Sequence, residues 1–543
     1  MIVQRLLGNE NRFVPFGADG DFNPTSGRIQ QLAVRGAGAT LFSSGATLGI
    51  QVIATLVLAR LLSPSDFGVV AMVTTFSLLL TNFGLNGFTE AVLQREKINS
   101  ILASNLFWIN VGVGALLSVG LATAGTLLAR FYREPAVAPV SVGVAISVFV
   151  SSTSVIHLAL LKRAMRFGAA SMNDIVARFA SVAVSIVLGL GGWRYWALVA
   201  GAIALPLSQS LGVWYLCRWK PGIPRSVAGT GSMLRFAMHV YSRFGVNYVA
   251  RNMDNFLVGW RFGAYPLGFY KRAYDLFALP ASQIAAPLSN VGVSVLSRFK
   301  NDLSQFQRYM VSAVALMAFA GMGLGADLTL SGKDIIRVVL GAKWDEAGRI
   351  FTFFGPGIGI MLVYYMQGWI YLSSGRAERW LRWSVFESLF TAFLFVLALP
   401  WGPSGIAFAW TLSFWTLLLP GFWYAARPLG TGIMPIIHAI WRYVLGSLLA
   451  AIISAVIMRG PVGLSAMQGA TGALARIAVV SVLFWLLYLV AIVILHRGTA
   501  PLVQFANLAK DMLPQGRWLK SRRADGTSQP QPAPVQERAQ EGY

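Results

Sequence analysis

The chain has 543 residues, of which 56% are hydrophobic and only 12% are charged, with a mean hydropathy of +0.61. These values exclude a soluble globular protein of this size and indicate a polytopic membrane protein. The formal net charge of +23 comes from Lys and Arg that collect near the ends of apolar segments. That pattern is a signal of membrane topology and argues against a nucleic-acid partner.

Fourteen apolar segments are long enough to cross a bilayer, and an even number returns both termini to one side. Lys and Arg are concentrated on that side, which predicts that both termini are cytoplasmic. We therefore expect an all-α membrane protein with about 14 transmembrane helices and a longest outward connection over residues 327–349. The segments begin near Gly36, Asp66, Ile101, Ala136, Ser171, Tyr195, Met233, Phe277, Phe306, Ile350, Arg379, Ser404, Pro435 and Leu474.

The two halves of the chain resemble each other. WALVA at 196–200 matches GIAFA at 405–409 with an offset of 209, and the FG ending at Gly68 matches the LG ending at Gly268 with an offset of 200. A repeat of six spans begins and ends on one side, so the copies are parallel and related by an axis along the membrane normal. We expect two pseudo-symmetric six-helix lobes around a central cavity. The predicted divisions are a cytoplasmic segment 1–35, an N-lobe 36–218, an inter-lobe linker 219–232, a C-lobe 233–427, a helix pair 428–497 and a cytoplasmic, largely disordered tail 498–543.

The first span of the N-lobe carries a polar stripe of Ser43, Thr47, Gln51 and Thr55 at intervals of four residues. Small polar residues of this kind more often pack helices together than line a cavity. Gln51 favours the cavity, because a primary amide needs hydrogen-bonding partners that lipid does not supply.

The first span of the C-lobe, Met233 to Gly263, has a more strongly polar face than any other. Insertion of an arginine at the centre of a membrane helix costs about 2.5 to 3.5 kcal/mol, so such a residue needs a partner, a cavity or an anionic ligand. The face spans an arc of about 160° on a helical projection and indicates the wall of a transport path. It consists of Arg235, His239, Arg243, Asn247, Arg251 and Asp254.

Four further charged positions are candidates for coupling or gating. Glu90 follows Asn82 and Asn86 at four-residue steps, and Asp174 stands four residues before Arg178. A local salt bridge explains the second pair equally well. Arg178 also aligns with Glu387 under the 209-residue offset, so opposite charges at equivalent positions of the lobes could hold a closed state together.

No catalytic, cofactor or metal motif is recognisable in the sequence. The four histidines are scattered and the single cysteine has no partner, so spacing predicts no metal site. Ser331-Gly332-Lys333 lacks the glycine spacing and the following hydroxyl residue of a phosphate-binding loop. We therefore expect a protein without a cofactor that is not an enzyme.

Several motifs resemble those of Wzx-type polysaccharide flippases, in particular the colanic-acid-exporter-like branch. They are ARLLSPSDFG (59–68), FGLNGFTEAVLQRE (83–96), NLFWIN (105–110), NMDNFLVGWRFGAYPLGFYKRAYDLFALPASQIAAPLSNVGVSVLSRF (252–299) and LGAKW (340–344). The family belongs to the superfamily that also includes multidrug exporters and the peptidoglycan-precursor flippase.

The resemblance implies a multi-pass protein of the bacterial inner membrane that translocates undecaprenyl-pyrophosphate-linked oligosaccharides by alternating access of two lobes. Its partners would be this lipid-linked oligosaccharide, membrane lipids and a polysaccharide polymerase with its co-polymerase. Under that interpretation Arg243 and Arg251 would bind the pyrophosphate, and Asp254 or Glu90 could couple transport to a proton or sodium gradient, although Asp254 could equally pair with Arg251. The expected saccharide contacts are Gln51, Asn247, Tyr248, Asn255, Gln283 and Asn290.

Three alternatives remain open at the level of the sequence. A multidrug-type exporter shares the fold, but a cavity for apolar cations would favour carboxylates over arginines. An integral polymerase or glycosyltransferase would be revealed by turnover of a sugar donor. A scaffold that only recruits assembly enzymes would not need an arginine-lined span.

Overall fold

The computed structural model describes residues 13–23, 29–82, 87–95, 97–225, 230–299, 302–430, 432–459 and 469–503. These residues form eighteen α-helices, and the only β-structure among them consists of isolated bridges. The all-α polytopic architecture predicted from composition is therefore confirmed.

The helices of the first half pack in consecutive pairs, with α4 on α5 and α7 on α8, while α1 lies along α7. Most are uniformly apolar because they face both lipid and neighbouring helices. Their bounds are α1 Ile29–Leu61, α2 Pro64–Asn82, α3 Thr89–Gln94, α4 Ser100–Tyr132, α5 Val137–Ser152, α6 Val155–Arg163, α7 Phe167–Leu190 and α8 Tyr195–Leu216.

The second half repeats this arrangement and adds a helix pair. α12 packs along α13, α13 along α16, and the added helices α17 and α18 pack on α12 as well as on each other. The bounds are α9 Thr230–Arg251, α10 Met253–Phe262, α11 Ala264–Arg298, α12 Leu303–Leu340, α13 Asp345–Tyr364, α14 Gln367–Ser373, α15 Ala377–Ala398, α16 Gly402–Ala426, α17 Met434–Arg459 and α18 Gly469–His496.

Eleven helical stretches in the described part of the chain are long and apolar enough to cross a membrane. One of them, 378–429, contains both α15 and α16. The segments α9–α10 and α11 have sufficient length but are not among these eleven stretches. The predicted number of about 14 spans would require these two segments to cross the membrane and α15 and α16 to cross it separately, and it stays a prediction.

Three boundaries expected from the sequence differ from the helix bounds of the structure, each for a physical reason. The helix that contains the eighth predicted span begins at Ala264 rather than near Phe277, because its first turns are helical although they carry charged residues. The expected outward loop 327–349 is mostly helical, since α12 continues to Leu340. The seventh span is broken at Asn252, so the polar face inferred over 233–263 does not lie on one continuous helix.

The two halves meet where α2 packs on α11. A β-carbon placed on Gly68 would lie 1.7 Å from the carbonyl oxygen of Ala264, and one placed on Gly268 would lie 1.9 Å from the carbonyl oxygen of Pro64. The two contacts are related by the same 200-residue offset that links Gly68 to Gly268. Glycine at both positions therefore allows the helices to cross at backbone contact distance.

Beside this crossing, a short segment of the second half, residues 342–344, is hydrogen-bonded to the end of α1. Lys343 Nζ donates hydrogen bonds to the carbonyl oxygens of Arg60 at 2.9 Å and Leu62 at 2.7 Å, and Trp344 Nε1 donates to that of Ala59 at 2.8 Å. The carbonyls of Ala59 and Arg60 belong to the last turn of α1 and that of Leu62 directly follows it, where no further turn supplies donors. We call this contact of residues 342–344 with residues 59–62 the clasp.

At the opposite end of the first half, residues 13–23 form a strap over the linker that follows α8. Phe13 N donates to the Leu216 carbonyl at 2.8 Å, and Arg218 N donates to the Phe13 carbonyl at 2.7 Å. Phe16 is buried against Trp219. The segment expected to be a plain cytoplasmic extension is thus partly packed against the helices, and it covers Cys217.

The linker itself is bound to α4 by the NLFWIN motif. Asn105 exchanges hydrogen bonds with the backbone of Arg225 at 2.6 and 2.9 Å and donates to Thr230 Oγ1 at 3.3 Å. Trp108 Nε1 donates to the Gly222 carbonyl at 2.9 Å. The motif therefore fixes the chain where it passes from one half to the other.

Helix α18 is attached to α12 by polar contacts between the two helices. Asp327 accepts hydrogen bonds from Ser481 at 2.8 Å and Trp485 at 3.1 Å. Asp334 forms a bidentate ion pair with Arg476, with nitrogen–oxygen distances of 3.0 and 2.6 Å. Each carboxylate is thus satisfied by α18, which ties the added helix pair to the second half.

Candidate functional site

A cavity of about 200 Å³ is lined by α1, α7 and α8 of the first half and, from the second half, by Arg272. Helix α1 contributes Thr47, Gln51 and Thr55, which are one turn apart and face this space together. Three residues of the predicted polar stripe therefore line a cavity, whereas the fourth, Ser43, is buried and donates a hydrogen bond to the Ser171 carbonyl at 3.3 Å. We call this space the junction cavity, and its other lining residues are Ile50, Ala54, Leu58, Arg178, Ser181, Val182, Leu205 and Arg272.

Arg272 supplies a positive charge to the junction cavity from the second half. It lies eight residues after Ala264, or about 12 Å along α11, and therefore well inside the helix. Its guanidinium carbon is 3.9 Å from the centre of the Phe67 ring, and the buried Nε has no hydrogen-bond partner among the described groups. Asp275, one turn further along, forms its ion pair with Lys271. Arg272 is thus held by a ring face and retains hydrogen-bonding capacity.

Arg178 supplies the second positive charge, from α7. Its Nε donates to Asp174 Oδ2 at 2.9 Å, and Gln209 Nε2 lies 3.5 Å from the other carboxylate oxygen. The Arg178 side chain is 39% exposed, so the pair is not sealed from its surroundings. The local salt bridge considered for Asp174 and Arg178 is therefore present. It occupies Nε, while the two terminal nitrogens of Arg178 make no hydrogen bond to the described residues.

Arg272 was missed in the sequence because the eighth span was expected to begin near Phe277. The apolar part of α11 starts there, whereas the preceding turns contain Lys271, Arg272 and Asp275. A helical projection extended upstream to Ala264 could have placed Arg272 inside the membrane. The cation–π contact with Phe67 joins residues 205 positions apart and had no signal in the sequence.

For several predicted contact residues the structure describes the helix but not the side chain. Arg243, Asn247 and Arg251 lie on α9, and Gln283 and Asn290 lie on α11, but their side chains are outside the described part of the structure. Their roles as headgroup and saccharide contacts remain predictions. Arg235, at the start of the same face, is exposed.

Tyr248, Asp254 and Asn255 form a second polar cluster near the break between α9 and α10, and they are not among the residues lining the junction cavity. Asp254 is 1% exposed. Its carboxylate accepts one hydrogen bond from the Tyr270 hydroxyl at 2.9 Å and another from the Asn255 backbone N–H at 2.7 Å. Tyr248 lies close enough to Asp254 to interact electrostatically. A buried carboxylate without a described ion pair is an unusual feature of a membrane helix.

The remaining gating candidates lie apart from the junction cavity. Glu90 is exposed in the first turn of α3, because α2 ends at Asn82 and does not continue through it. Glu387 on α15 interacts with the Tyr364 hydroxyl. The partner of Arg178 in this conformation is Asp174, so a pairing of Arg178 with Glu387 remains a prediction about another conformation.

Comparison with known proteins identifies the family. The model of the family described as polysaccharide biosynthesis protein matches residues 57–349. A teichuronic acid biosynthesis protein of Bacillus subtilis (TuaB) is 26% identical over 55% of this chain and 62% of its own length. A lipopolysaccharide biosynthesis protein of Escherichia coli (WzxC) is 20% identical over 59% and 65%, respectively. The match thus covers less than two thirds of the length of these two relatives.

A succinoglycan biosynthesis transport protein of Rhizobium meliloti (ExoT) is 21% identical over 66% of this chain and 72% of its own length. Among solved structures, an inward closed conformation of the lipid II flippase MurJ aligns with a TM-score of 0.66, 15% identity and coverage of 86% of this chain and 99% of that one. An inward-facing multidrug transporter of the MATE family aligns with a TM-score of 0.56 at 12% identity, covering 70% and 94%. These structural similarities establish the fold alone. From the family match, the chain belongs to the polysaccharide biosynthesis protein family, with the helical fold shared by MurJ-type and MATE-type transporters.

Proposed function

We propose that this protein is a flippase that moves undecaprenyl-pyrophosphate-linked oligosaccharide units across the bacterial inner membrane for synthesis of a surface polysaccharide. The observation that carries the proposal is the junction cavity, in which Arg178 and Arg272 face a polar stripe of α1 at membrane depth. The names of the similar proteins from three bacteria, all concerned with polysaccharide biosynthesis, point to the same process.

The charge of the junction cavity favours an anionic substrate. Two guanidinium groups in a medium of reduced dielectric repel a cation and attract a pyrophosphate, with which arginine forms charge-assisted and often bidentate hydrogen bonds. This sign argues against the alternative, an exporter of apolar cations. Gln51, Thr47 and Thr55 then offer donors and acceptors for sugar hydroxyls.

The cavity of about 200 Å³ is too small for a complete oligosaccharide. We therefore assign it to the pyrophosphate and the first sugar, and we expect the cavity to enlarge when the halves separate. The polyprenyl chain would remain in lipid, because its transfer into a polar cavity would cost about 25 cal/mol for each Å² of apolar surface.

Orientation in the membrane follows from the distribution of basic residues. Lys162, Arg163 and Arg166 lie at the end of the molecule that carries the strap, which we place in the cytoplasm together with both termini. The clasp then lies on the periplasmic side, and we expect it to keep the halves together there and to limit access to the junction cavity. Separation of α2 from α11 would open that side and release the substrate to the outer leaflet, where a polymerase with its co-polymerase would use it.

Asp254 is the best-placed described carboxylate for coupling to a proton or sodium gradient. It is buried between α10 and Tyr270 of α11, so a change in its charge state would alter the packing of two helices beside the junction. Glu90 is exposed and has no comparable environment.

The proposal is tested by deleting the gene and measuring in which leaflet the lipid-linked oligosaccharide accumulates. Accumulation in the cytoplasmic leaflet, reversed by the intact gene but not by an Arg178→Ala/Arg272→Ala variant of normal abundance, is expected. If the intermediate is never made, or if the purified protein turns over a sugar donor, a glycosyltransferase or polymerase is the better interpretation. Normal export by the double variant would instead favour a scaffold.

A further inference from the structure

We propose that Phe67 is a positioning residue that transmits occupancy of the junction cavity to the clasp, so that an anionic headgroup loosens the periplasmic closure. The inference rests on the proposed function, because it assigns a consequence to binding at Arg272. It concerns a different event, since binding can occur without any effect on the clasp.

The first link joins Arg272 to Phe67. The guanidinium carbon lies 3.9 Å from the ring centre, which is within the range of a cation–π contact, and Phe67 is 4% exposed. Arg272 also lines the junction cavity, and its Nε has no hydrogen bond within the described part of the chain. The ring thus stabilises a cation whose hydrogen-bonding needs are incompletely met.

The second link joins Phe67 to the clasp. The ring of Phe67 packs edge-on against Trp344 with a centroid distance of 5.5 Å, and Trp344 is completely buried. Trp344 Nε1 in turn donates to the Ala59 carbonyl. Phe269 touches Trp344 from another side at 5.8 Å. Phe67 is therefore in contact with both the cavity arginine and the tryptophan of the clasp.

A phosphate in the junction cavity competes with Phe67 for Arg272. Charge-assisted hydrogen bonds to phosphate are directional and stronger than the attraction of a cation to a neutral ring, so the guanidinium turns towards the anion. Phe67 then loses the group that holds it against α11, and its contact with Trp344 becomes free to separate. In the absence of substrate the arginine keeps the ring in place, which prevents opening of an empty cavity.

The clasp can be monitored by crosslinking cysteines introduced at Leu61 and Ala342 in a Cys217→Ala background. Both positions are exposed on the two sides of the clasp. The probes are undecaprenyl pyrophosphate and inorganic pyrophosphate, added to the purified full-length protein, and binding is measured separately by thermal stabilisation. We expect undecaprenyl pyrophosphate to lower the crosslinking rate about fivefold or more.

Two substitutions at equivalent buried rings separate transmission from packing. Phe67→Leu and Phe269→Leu each remove a ring that packs on Trp344, but only Phe67 also contacts Arg272. Both should raise the basal opening of the clasp. Phe269→Leu should keep the fivefold response to the probe, whereas Phe67→Leu should bind the probe and lose the response. Phe67→Tyr retains a ring face, so this variant should keep the fivefold response to the probe.

The outcomes distinguish the two proposals. If Phe67→Leu responds as strongly as Phe269→Leu while both bind the probe, the transmission through Phe67 is refuted and the proposed function stands. If the parent protein binds neither probe, both proposals fail. If inorganic pyrophosphate alone produces the full response, the diphosphate group is sufficient. If only undecaprenyl pyrophosphate produces it, the lipid is also required. Either result supports the transmission through Phe67.

Discussion

Substitution of Gly68 by alanine should prevent the periplasmic side from closing fully. A β-carbon at this position would lie 1.7 Å from the Ala264 carbonyl oxygen, whereas a carbon and an oxygen that are not bonded normally approach to about 3.3 Å. The helices α2 and α11 would therefore have to move apart by roughly 1.5 Å. The obstacle is backbone, which cannot rotate away as a side chain can.

Overpacking of a close contact typically costs about 1 to 3 kcal/mol. If that cost falls on the closed state only, the equilibrium between closed and open states shifts by about 5- to 150-fold. Gly268→Ala should have a similar effect, because its β-carbon would lie 1.9 Å from the Pro64 carbonyl oxygen. The double variant should not show twice the effect, since the separation that relieves one contact relieves the other.

The assay is the rate of crosslinking between Leu61→Cys and Ala342→Cys across the clasp. Gly120→Ala is the matched control, because a β-carbon on that residue meets nothing within 4 Å. We expect crosslinking to slow at least fivefold in the Gly68 and Gly268 variants and to be unchanged in the control. Equal rates in all variants, or additive effects in the double variant, would show that the two glycines do not set the closed distance.

Three further predictions follow from particular contacts. Asp174→Asn should remove the charge that partly neutralises Arg178 and therefore tighten the binding of pyrophosphate. The affinity should also depend more strongly on salt concentration. An unchanged affinity would place Arg178 outside the site. Arg476→Ala should leave the Asp334 carboxylate unpaired and lower stability by about 1 to 3 kcal/mol, seen as a lower midpoint of thermal unfolding in detergent, and Arg476→Met with Asp334→Leu should recover most of it. Burial raises the pKa of the Cys217 thiol to about 12, so maleimide should label this thiol slowly at pH 7.5. Deletion of residues 1–23 should make the labelling at least tenfold faster, because the strap contacts Cys217. Slow labelling of the truncated protein would mean that the strap does not cover the thiol.

Much of the architecture could be predicted because hydropathy and charge report directly on the membrane. The all-α membrane architecture, the repeat and the polar stripe at Gln51 all depend on local composition or regular spacing. The start of α11 was misplaced for the same reason, since hydropathy does not recognise a helix whose first turns are charged. That error hid Arg272.

The contacts between the halves could not be predicted, because they join residues about 200 or more positions apart. The sequence repeat linked Gly68 to Gly268, but only the structure reveals that each faces a backbone carbonyl of the other half. Likewise, LGAKW was recognisable as a motif, whereas the hydrogen bonds of Lys343 and Trp344 to the end of α1 required the fold.

The most direct measurement is the rate at which the purified protein, reconstituted in liposomes, moves a fluorescent undecaprenyl-pyrophosphate-linked sugar between leaflets, read by accessibility to an impermeant quencher. Loss of a charge-assisted hydrogen bond costs about 1.5 to 3 kcal/mol, so we expect Arg272→Ala to slow movement by about 10- to 150-fold. Arg349→Ala removes an exposed positive charge that pairs with Glu346 and should leave the rate unchanged. Movement at the parental rate by an Arg178→Ala/Arg272→Ala variant would contradict the assignment of the junction cavity to the anionic headgroup.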